Sequence, residues 1–211
     1  MNVCSGCKEF DEFLDGGYSK ITTIYGAAAT GKTTLAMLSA IEEARKGNNI
    51  VYIDVENNFS VERFKQLAGE GYKELLNNIL FVKIKNFREQ QLRIKSLLNL
   101  NERVSLVVID NIGGYYGRLL RSKPELANKM FVSQFRILEE VSNKTPILIT
   151  SQVYTDVKNG SIRAIGGEIV KKSSSCLIEL DNKRIRKAIL RKPREKEFLF
   201  EIRNEGIFGV N

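Results

Sequence analysis

Short apolar runs alternate with segments of helical periodicity along most of the chain. The strand-like runs are Ile21–Tyr25, Ile50–Val55, Ile79–Ile84, Val104–Ile109 and Ile147–Thr150. Helices are predicted between them over residues 32–46, from a cap at Ser60 to about Ala68, from about Arg88 to Leu100, and from Pro124 to about Val141. This order predicts an α/β fold with a mainly parallel sheet flanked by helices on both faces.

The C-terminal part of the chain has a different pattern. Three strand-like runs, Cys176–Leu180, Ile185–Leu190 and Phe198–Ile202, are separated by polar turns with no helical segment between them. They predict a C-terminal antiparallel extension of the sheet. With 211 residues and 43% apolar composition, residues 1–211 are expected to form a single domain around one core.

Composition narrows the class of protein. No basic lead with an apolar stretch opens the sequence, and no run approaches the roughly 18 apolar residues that would cross a bilayer. Three cysteines are too few for a disulfide framework, so we expect a cytoplasmic protein in a reducing compartment. Cys4 and Cys7 form a Cys-x-x-Cys pair, which is typical of zinc or redox sites. Because the chain has no histidine, a zinc site would need a carboxylate ligand, and a small N-terminal turn is the favoured interpretation.

Positive charge is concentrated near the C-terminus. The net charge is +8, and residues 183–196 hold eight basic residues against the single acid Glu195. These basic residues are Lys183, Arg184, Arg186, Lys187, Arg191, Lys192, Arg194 and Lys196. A strand or hairpin with such a face can contact nucleic acid or phosphate, or it can be a solvated edge strand whose charges prevent edge-to-edge pairing.

The most specific motif lies between the first strand and the first long helix. It consists of Gly26, Ala27, Ala28, Ala29, Thr30, Gly31, Lys32 and Thr33, followed by Thr34. In such a P-loop the glycines let backbone N–H groups wrap a phosphate, Lys32 reaches the β- and γ-phosphates, and Thr33 ligates Mg²⁺. Because a strand and a helix stand on the correct sides, we predict an ATP site rather than a chance glycine turn.

Polar residues at strand ends supply further candidate chemistry. Asp110 ends an apolar strand, where P-loop proteins hold a carboxylate for Mg²⁺; otherwise it would bond a loop amide. Asn111 stands where many ATPases carry a water-activating glutamate, so another base is required. Glu56 after the second strand can orient water, and Gln152 can sense the γ-phosphate. Taken singly, either of these two would be an ordinary loop residue.

Beyond these residues, several stretches make the chain resemble the RecA-type recombinases, particularly the archaeal RadA and RadB branch. The stretches are Ser5–Asp11, Tyr52–Glu56 with Phe59, Glu62 and Arg63, Val107–Asp110, Ile149–Val153, Gly166–Gly167 and Phe198–Ile207. The resemblance covers essentially the full length. It implies a RecA-like P-loop NTPase core that binds ATP and Mg²⁺. Lys32, Glu56 and Gln152 would be its catalytic residues, and Thr33 and Asp110 would serve the metal.

The resemblance also implies two DNA-facing loops, near residues 113–124 and 153–172. Expected contacts in these loops are Arg118, Arg121, Lys123, Lys158, Arg163, Lys171 and Lys172, and the basic segment adds Lys183, Arg184 and Arg186. Aromatic residues such as Tyr115 and Tyr116 together with basic ones suit single strands, through stacking and phosphate contact.

One departure from the family bears on function. Filament-forming recombinases carry an N-terminal domain and a Phe-x-x-Ala docking motif, whereas this sequence begins at the ATPase core. The resemblance therefore implies an accessory or mediator protein of DNA repair and homologous recombination, without filament formation through that motif. It would bind ATP, hydrolyse it weakly, bind single-stranded DNA and assist a recombinase or a Holliday-junction-processing protein.

Two other functions remain open at this point. A KaiC-like regulatory ATPase without DNA binding shares the P-loop and the early glutamate. A nucleotide kinase of similar length is less favoured, because no arginine-rich lid interrupts the parallel-sheet pattern.

Overall fold

The computed structural model describes residues 2–100, 103–155 and 162–210. Its strands are β1 (Ile21–Gly26), β2 (Asn49–Asp54), β3 (Ile79–Lys83), β4 (Val104–Asp110), β5 (Ile147–Ser151), β6 (Val153–Thr155), β7 (Ile162–Ala164), β8 (Cys176–Asp181), β9 (Lys187–Lys192), β10 (Lys196–Ile202) and β11 (Ile207–Gly209). Its helices are α1 (Lys8–Phe13), α2 (Lys32–Arg45), α3 (Val61–Ala68), α4 (Tyr72–Leu76), α5 (Phe87–Ser96), α6 (Gly113–Ser122), α7 (Pro124–Val141) and α8 (Gly167–Ser173), and a 3₁₀ turn covers Leu97–Asn99.

Within the described residues, nine strands form one sheet in the order β11-β10-β9-β8-β1-β5-β4-β2-β3. The pairs from β8 to β3 are parallel, whereas β9, β10 and β11 are joined by antiparallel pairs. β6 and β7 form a separate antiparallel hairpin. The predicted mainly parallel sheet with a C-terminal antiparallel extension is therefore confirmed.

Alternation along the central strands gives the sheet two apolar faces. Ile50 and Tyr52 of β2 join the core that contains α2 and α3, while Val51 and Ile53 join the core that contains α5 and α7. Because successive side chains of a strand point to opposite faces, the central strands are buried on both sides. Both faces are thus fixed against helices, and the carboxyl ends of β1, β4, β5 and β2 meet at one edge.

Local signals place several helices correctly. The Ser60 hydroxyl accepts a hydrogen bond from the backbone N–H of Arg63 at 3.1 Å, which caps α3 as expected. Pro124 occupies the first turn of α7, whose predicted range is confirmed.

The expectation of a first DNA-facing loop near residues 113–124 is wrong, because most of this segment forms helix α6. Residues 113–122, expected as a loop, are helical although the segment contains three glycines. Glycine disfavours a helix by about 1 kcal/mol per residue relative to alanine. Tertiary packing outweighs this cost, because the Tyr116 ring stacks on Phe131 of α7 with centroids 4.1 Å apart.

Other differences concern element boundaries. The second expected loop, 153–172, contains the β6–β7 hairpin and most of α8. β9 begins at Lys187 rather than Ile185, because residues 182–186 form the turn after β8. In the described ranges, no helix is both long and apolar enough to traverse a membrane.

Candidate functional site

The loop after β1 adopts the shape that its glycines allow. Ala29 and Gly31 have left-handed φ angles of +60° and +108°. A Cβ atom at Gly31 would also lie 2.7 Å from Cδ1 of Ile202, so a side chain there would clash as well as strain the backbone. Residues 27–31 therefore pass from β1 in a tight turn that leads directly into the N-terminus of α2. Backbone N–H groups and the helix dipole at such a position attract anions.

Lys32 is the first residue of α2, and its ammonium is nearly buried. Nζ donates to the carbonyl oxygens of Gly26 at 2.9 Å and Ala27 at 2.7 Å, and the residue is 9% exposed. Burial lowers the pKa of Lys32, and the carboxylates of Asp110 and Glu56 oppose that shift. Within the described part of the chain no carboxylate forms a direct ion pair with this ammonium. The cation therefore keeps its charge available for a ligand.

Asp110 ends β4 and is buried against two hydroxyl groups. The Thr150 hydroxyl donates to Oδ1 and the Tyr52 hydroxyl donates to Oδ2 at 3.0 Å. Burial raises the pKa of Tyr52 well above its usual range, and the neighbouring carboxylate adds to the shift, so Tyr52 stays protonated as the donor. Neither hydroxyl was identified from sequence as part of the site. Tyr52 lies in the middle of β2, where only the pairing of β2 with β4 brings it to Asp110.

Glu56 lies two residues beyond β2, between two amide side chains. Its Oε2 atom accepts from Nδ2 of Asn111 at 2.8 Å and from Nε2 of Gln152 at 3.5 Å. The structure thus brings together Glu56 and Gln152, both of which the sequence had singled out. It adds Asn111, which the sequence analysis had mentioned only because it stands where many ATPases carry a glutamate. Asn111 could be recognised only after the ends of β2, β4 and β5 were aligned.

The donor set fits a phosphate ligand and a hydrated Mg²⁺. Ala29, Gly31, Lys32, Thr33 and Thr34 line a cavity of about 190 Å³. In the described ranges no group of three or more His, Cys, Asp or Glu side chains is arranged to hold a metal. Mg²⁺ usually keeps several waters and uses one or two protein ligands together with phosphate oxygens. The Thr33 hydroxyl and the Asp110 carboxylate match that smaller requirement.

The expected DNA contacts are spread over α6, α8 and β7. Arg118 and Arg121 are exposed on α6, and Lys123 is exposed at its end. Lys171 and Lys172 are exposed in the last turn of α8, and Arg163 is half-buried on β7. Lys158 lies outside the described residues. Arg163 and Lys171 share a cavity of about 410 Å³ with the acidic Glu168 and Glu195, so this group is of mixed charge.

Most of the basic segment 183–196 is paired within the molecule. Lys187 pairs with Glu197, Arg191 with Glu179 and Glu195, and Arg194 and Lys196 both with Asp15. Lys192 donates to backbone carbonyls, and Arg186 donates to the carbonyl oxygen of Ala29 at 2.8 Å. Only Lys183 and Arg184 of the described segment remain exposed without a side-chain partner. The segment is therefore not the continuous basic face that its composition indicated.

An aromatic residue that sequence reasoning missed lies beside α6. Tyr154 of β6 is 44% exposed, and it lines a mainly apolar cavity of about 620 Å³ together with Leu120, Ile165 and Ile169. Arg121 lies at the same cavity. A single tyrosine in a polar stretch gave no signal in the sequence.

Comparisons with known proteins agree along nearly the whole chain. A sequence model of the Rad51 family matches residues 1–210. A DNA repair and recombination protein RadB from Methanoculleus marisnigri is 35% identical over 99% of this chain and 98% of its own length. One of the same name from Methanococcus maripaludis is 35% identical over 95% of this chain and 97% of its own length. The crystal structure of the RadB recombinase superposes with a TM-score of 0.83 at 25% identity, covering 99% of this chain and all of the other.

Proposed function

The chain belongs to the Rad51 family, alongside the archaeal RadB proteins, and on this premise we propose an ATP-dependent, single-stranded-DNA-binding protein of DNA repair and recombination. The observation that carries the nucleotide part is the setting of Lys32. Its nearly buried ammonium is held by backbone carbonyls alone, at a helix N-terminus, with the Asp110 and Glu56 carboxylates acting on it.

Each residue of the site has a distinct proposed task. Lys32 and the loop N–H groups bind the phosphates, and Thr33 and Asp110 serve Mg²⁺, Asp110 through a bound water. When bound, ATP with Mg²⁺ supplies the phosphoanhydride bond and the divalent charge that neutralises its oxygens. Glu56 orients a water molecule and accepts its proton, because its carboxylate is held by amides and forms no ion pair with a cation among the described residues. Hydrolysis is proposed to be slow, since no glutamate follows Asp110 directly.

The DNA part of the proposal rests on the surface beside Gln152. Gln152 bonds Glu56 and immediately precedes β6, which carries the exposed Tyr154. The exposed Arg121 of α6 lines the same cavity as Tyr154. Aromatic stacking and phosphate contacts are the usual means of binding single strands. We propose that Gln152 connects the γ-phosphate with this surface.

The test compares single-stranded DNA binding with ATP, with ADP and without nucleotide. Wild type is expected to bind most tightly with ATP. Lys32→Ala should lose ATP binding and with it the difference between nucleotide states, because the desolvated cation is removed. Gln152→Ala should bind ATP as wild type does but lose most of the nucleotide effect on DNA.

Two outcomes would contradict the proposal in different places. Unchanged ATP binding by Lys32→Ala would contradict the proposed nucleotide site at the start of α2. Normal ATP binding with no affinity for single strands in any nucleotide state would favour the regulatory ATPase. The finer proposal of an accessory role is tested by adding the protein to a strand-exchange reaction run by a separate recombinase, where stimulation is expected.

A further inference from the structure

The first turn of helix α6 lies against the side chain of Glu56. The Asn111 side chain donates from Nδ2 to Oε2 of Glu56 at 2.8 Å, and its Oδ1 accepts from the backbone N–H of Gly113 at 2.9 Å. One amide group therefore joins the carboxylate to the first turn of α6. A hydrogen-bonded amide of this kind fixes the orientation of both of its partners.

Gly114 forms the surface against which the Glu56 carboxylate rests. A Cβ atom at Gly114 would lie 2.6 Å from Oε1 and 2.9 Å from both Cδ and Cγ of Glu56. Real Cβ atoms do not approach other atoms so closely, so any side chain at position 114 would displace the carboxylate or the helix. At Gly117, one turn further along α6, a Cβ atom would meet nothing within 4 Å. Of Gly114 and Gly117, only Gly114 faces Glu56 closely enough for an added Cβ atom to disturb the carboxylate.

Glu56 needs such support because it stands outside the sheet. The strand β2 ends at Asp54, whose carboxylate accepts the backbone N–H groups of Asn58 and Phe59 at 3.0 and 3.1 Å. These bonds hold the loop backbone but not the Glu56 side chain. Gln152 approaches the same Oε2 atom only to 3.5 Å, so the shorter of the two contacts comes from Asn111.

We propose that Asn111 and Gly114 are positioning residues that hold the Glu56 carboxylate for water activation and make its position depend on that of α6. The part that concerns ATP turnover rests on the proposed function. Arg118 and Arg121 are exposed on the same helix, so a ligand that moves α6 through them also moves the support of Glu56. This route is separate from the one through Gln152.

The experiment compares Gly114→Ala with Gly117→Ala, a matched substitution on the same helix. Gly114→Ala is expected to lower the kcat of ATP hydrolysis at least about tenfold, with a dissociation constant for ATP within about twofold of wild type. Gly117→Ala should leave both unchanged. Asn111→Ala should reproduce the loss of kcat without adding any atom near Glu56, which guards against a general packing defect in Gly114→Ala.

A second readout does not depend on turnover. In ¹⁵N-resolved NMR spectra, the side-chain amide of Asn111 should shift in Gly114→Ala as it does in Glu56→Gln, and stay in place in Gly117→Ala. An unchanged Asn111 resonance in Gly114→Ala would overturn the inference even if the protein hydrolysed no ATP. A shifted resonance together with absent turnover in wild type would instead contradict the proposed function and leave the positioning contact established.

Discussion

At the scale of single residues, the charged groups of the candidate site are held by neutral partners. Lys32 rests on two carbonyl oxygens, Asp110 on two hydroxyls, and Glu56 on two amides. A neutral partner orients a charge without cancelling it, so the full charge is left for a ligand. The paired cations of β9, Lys187 and Arg191, show the opposite arrangement, in which carboxylates neutralise the cations.

The role of Glu56 gives the first prediction. Glu56→Gln keeps the size and most hydrogen bonds of the side chain but removes the base, so the kcat of ATP hydrolysis should fall about a hundredfold or more while ATP affinity stays close to wild type. Steady-state phosphate release and equilibrium nucleotide binding measure the two quantities. The control is Glu12→Gln, an exposed glutamate on α1. Unchanged turnover in Glu56→Gln would place water activation on another group.

The cysteines give a prediction that depends on pH. Burial raises the pKa of Cys7 to about 11 and that of Cys176 to about 11. At pH 8 only about one thousandth of each thiol is therefore ionised, and iodoacetamide should label the partly exposed Cys4 first. Labelling of the other two should accelerate as the pH rises toward 11, or after unfolding in urea. Mass spectrometry of timed samples gives the order, and early labelling of Cys7 at pH 8 would show that its burial is transient.

At the scale of secondary-structure elements, exposed basic side chains without an ion pair among the described residues lie on α6 rather than in the β9–β10 region, where composition had indicated a basic face. The basic segment 183–196 was the strongest charge signal in the sequence, but most of its side chains pair with acids or carbonyls. Helix α6 has only a few cations, and Arg118 and Arg121 are exposed beside the candidate site. We therefore expect α6, whose arginines are exposed, to contribute more to phosphate contact than the paired residues of the basic segment.

The salt dependence of single-stranded DNA binding tests whether α6 or the basic segment contacts DNA phosphates. Each phosphate contact contributes about 0.7 to the slope of log affinity against log salt concentration. Arg121→Ala should lower the slope by up to that amount, and Arg118→Ala should act similarly. Lys196→Ala removes the same charge from a residue bonded to Asp15 at 2.7 Å and should change the slope little. An equal decrease of the slope in Lys196→Ala would indicate that the basic segment also contacts DNA.

At the scale of the whole molecule, the site draws on both faces of one sheet. Lys32 comes from a helix on one face, α6 packs on the other, and Asp110 ends a central strand between them. A ligand that engages these groups together therefore binds the assembled sheet and not the unfolded chain. Ligand binding of this kind stabilises the entire fold.

Thermal unfolding measures that stabilisation. ATP with Mg²⁺ at a hundred times its dissociation constant should add about 2.7 kcal/mol to the free energy of unfolding. For a chain of this size the corresponding rise in Tm is about 5 to 10 °C. Lys32→Ala should show no rise at the same concentration, although its Tm without nucleotide is expected to remain near that of wild type. An equal rise in both proteins would indicate a nucleotide site elsewhere.

Sequence reasoning succeeded where the signal was local. The turn from β1 into α2, the cap of α3 and the bounds of α7 depend on neighbours within a few residues, so spacing and residue type were sufficient. It failed at α6, which the family resemblance placed in a DNA-facing loop, because the ring of Phe131 that stabilises this helix comes from the next helix. The same limit applied to Tyr52 and Tyr154, whose environments depend on other elements.

The sequence by itself determined the succession of strands β1 to β5 with helices α2, α3, α5 and α7 among them, the glycine-containing motif at residues 26–34, and the strand-end positions of Glu56, Asp110 and Gln152 in this Rad51-family chain. Only the tertiary structure decided which charges are free, because pairing joins residues distant along the chain. Asn111 meets Glu56 across 55 positions, and Lys196 meets Asp15 across 181. Periodicity and composition describe each residue with its near neighbours, whereas hydrogen bonds and burial depend on the groups that folding brings beside it.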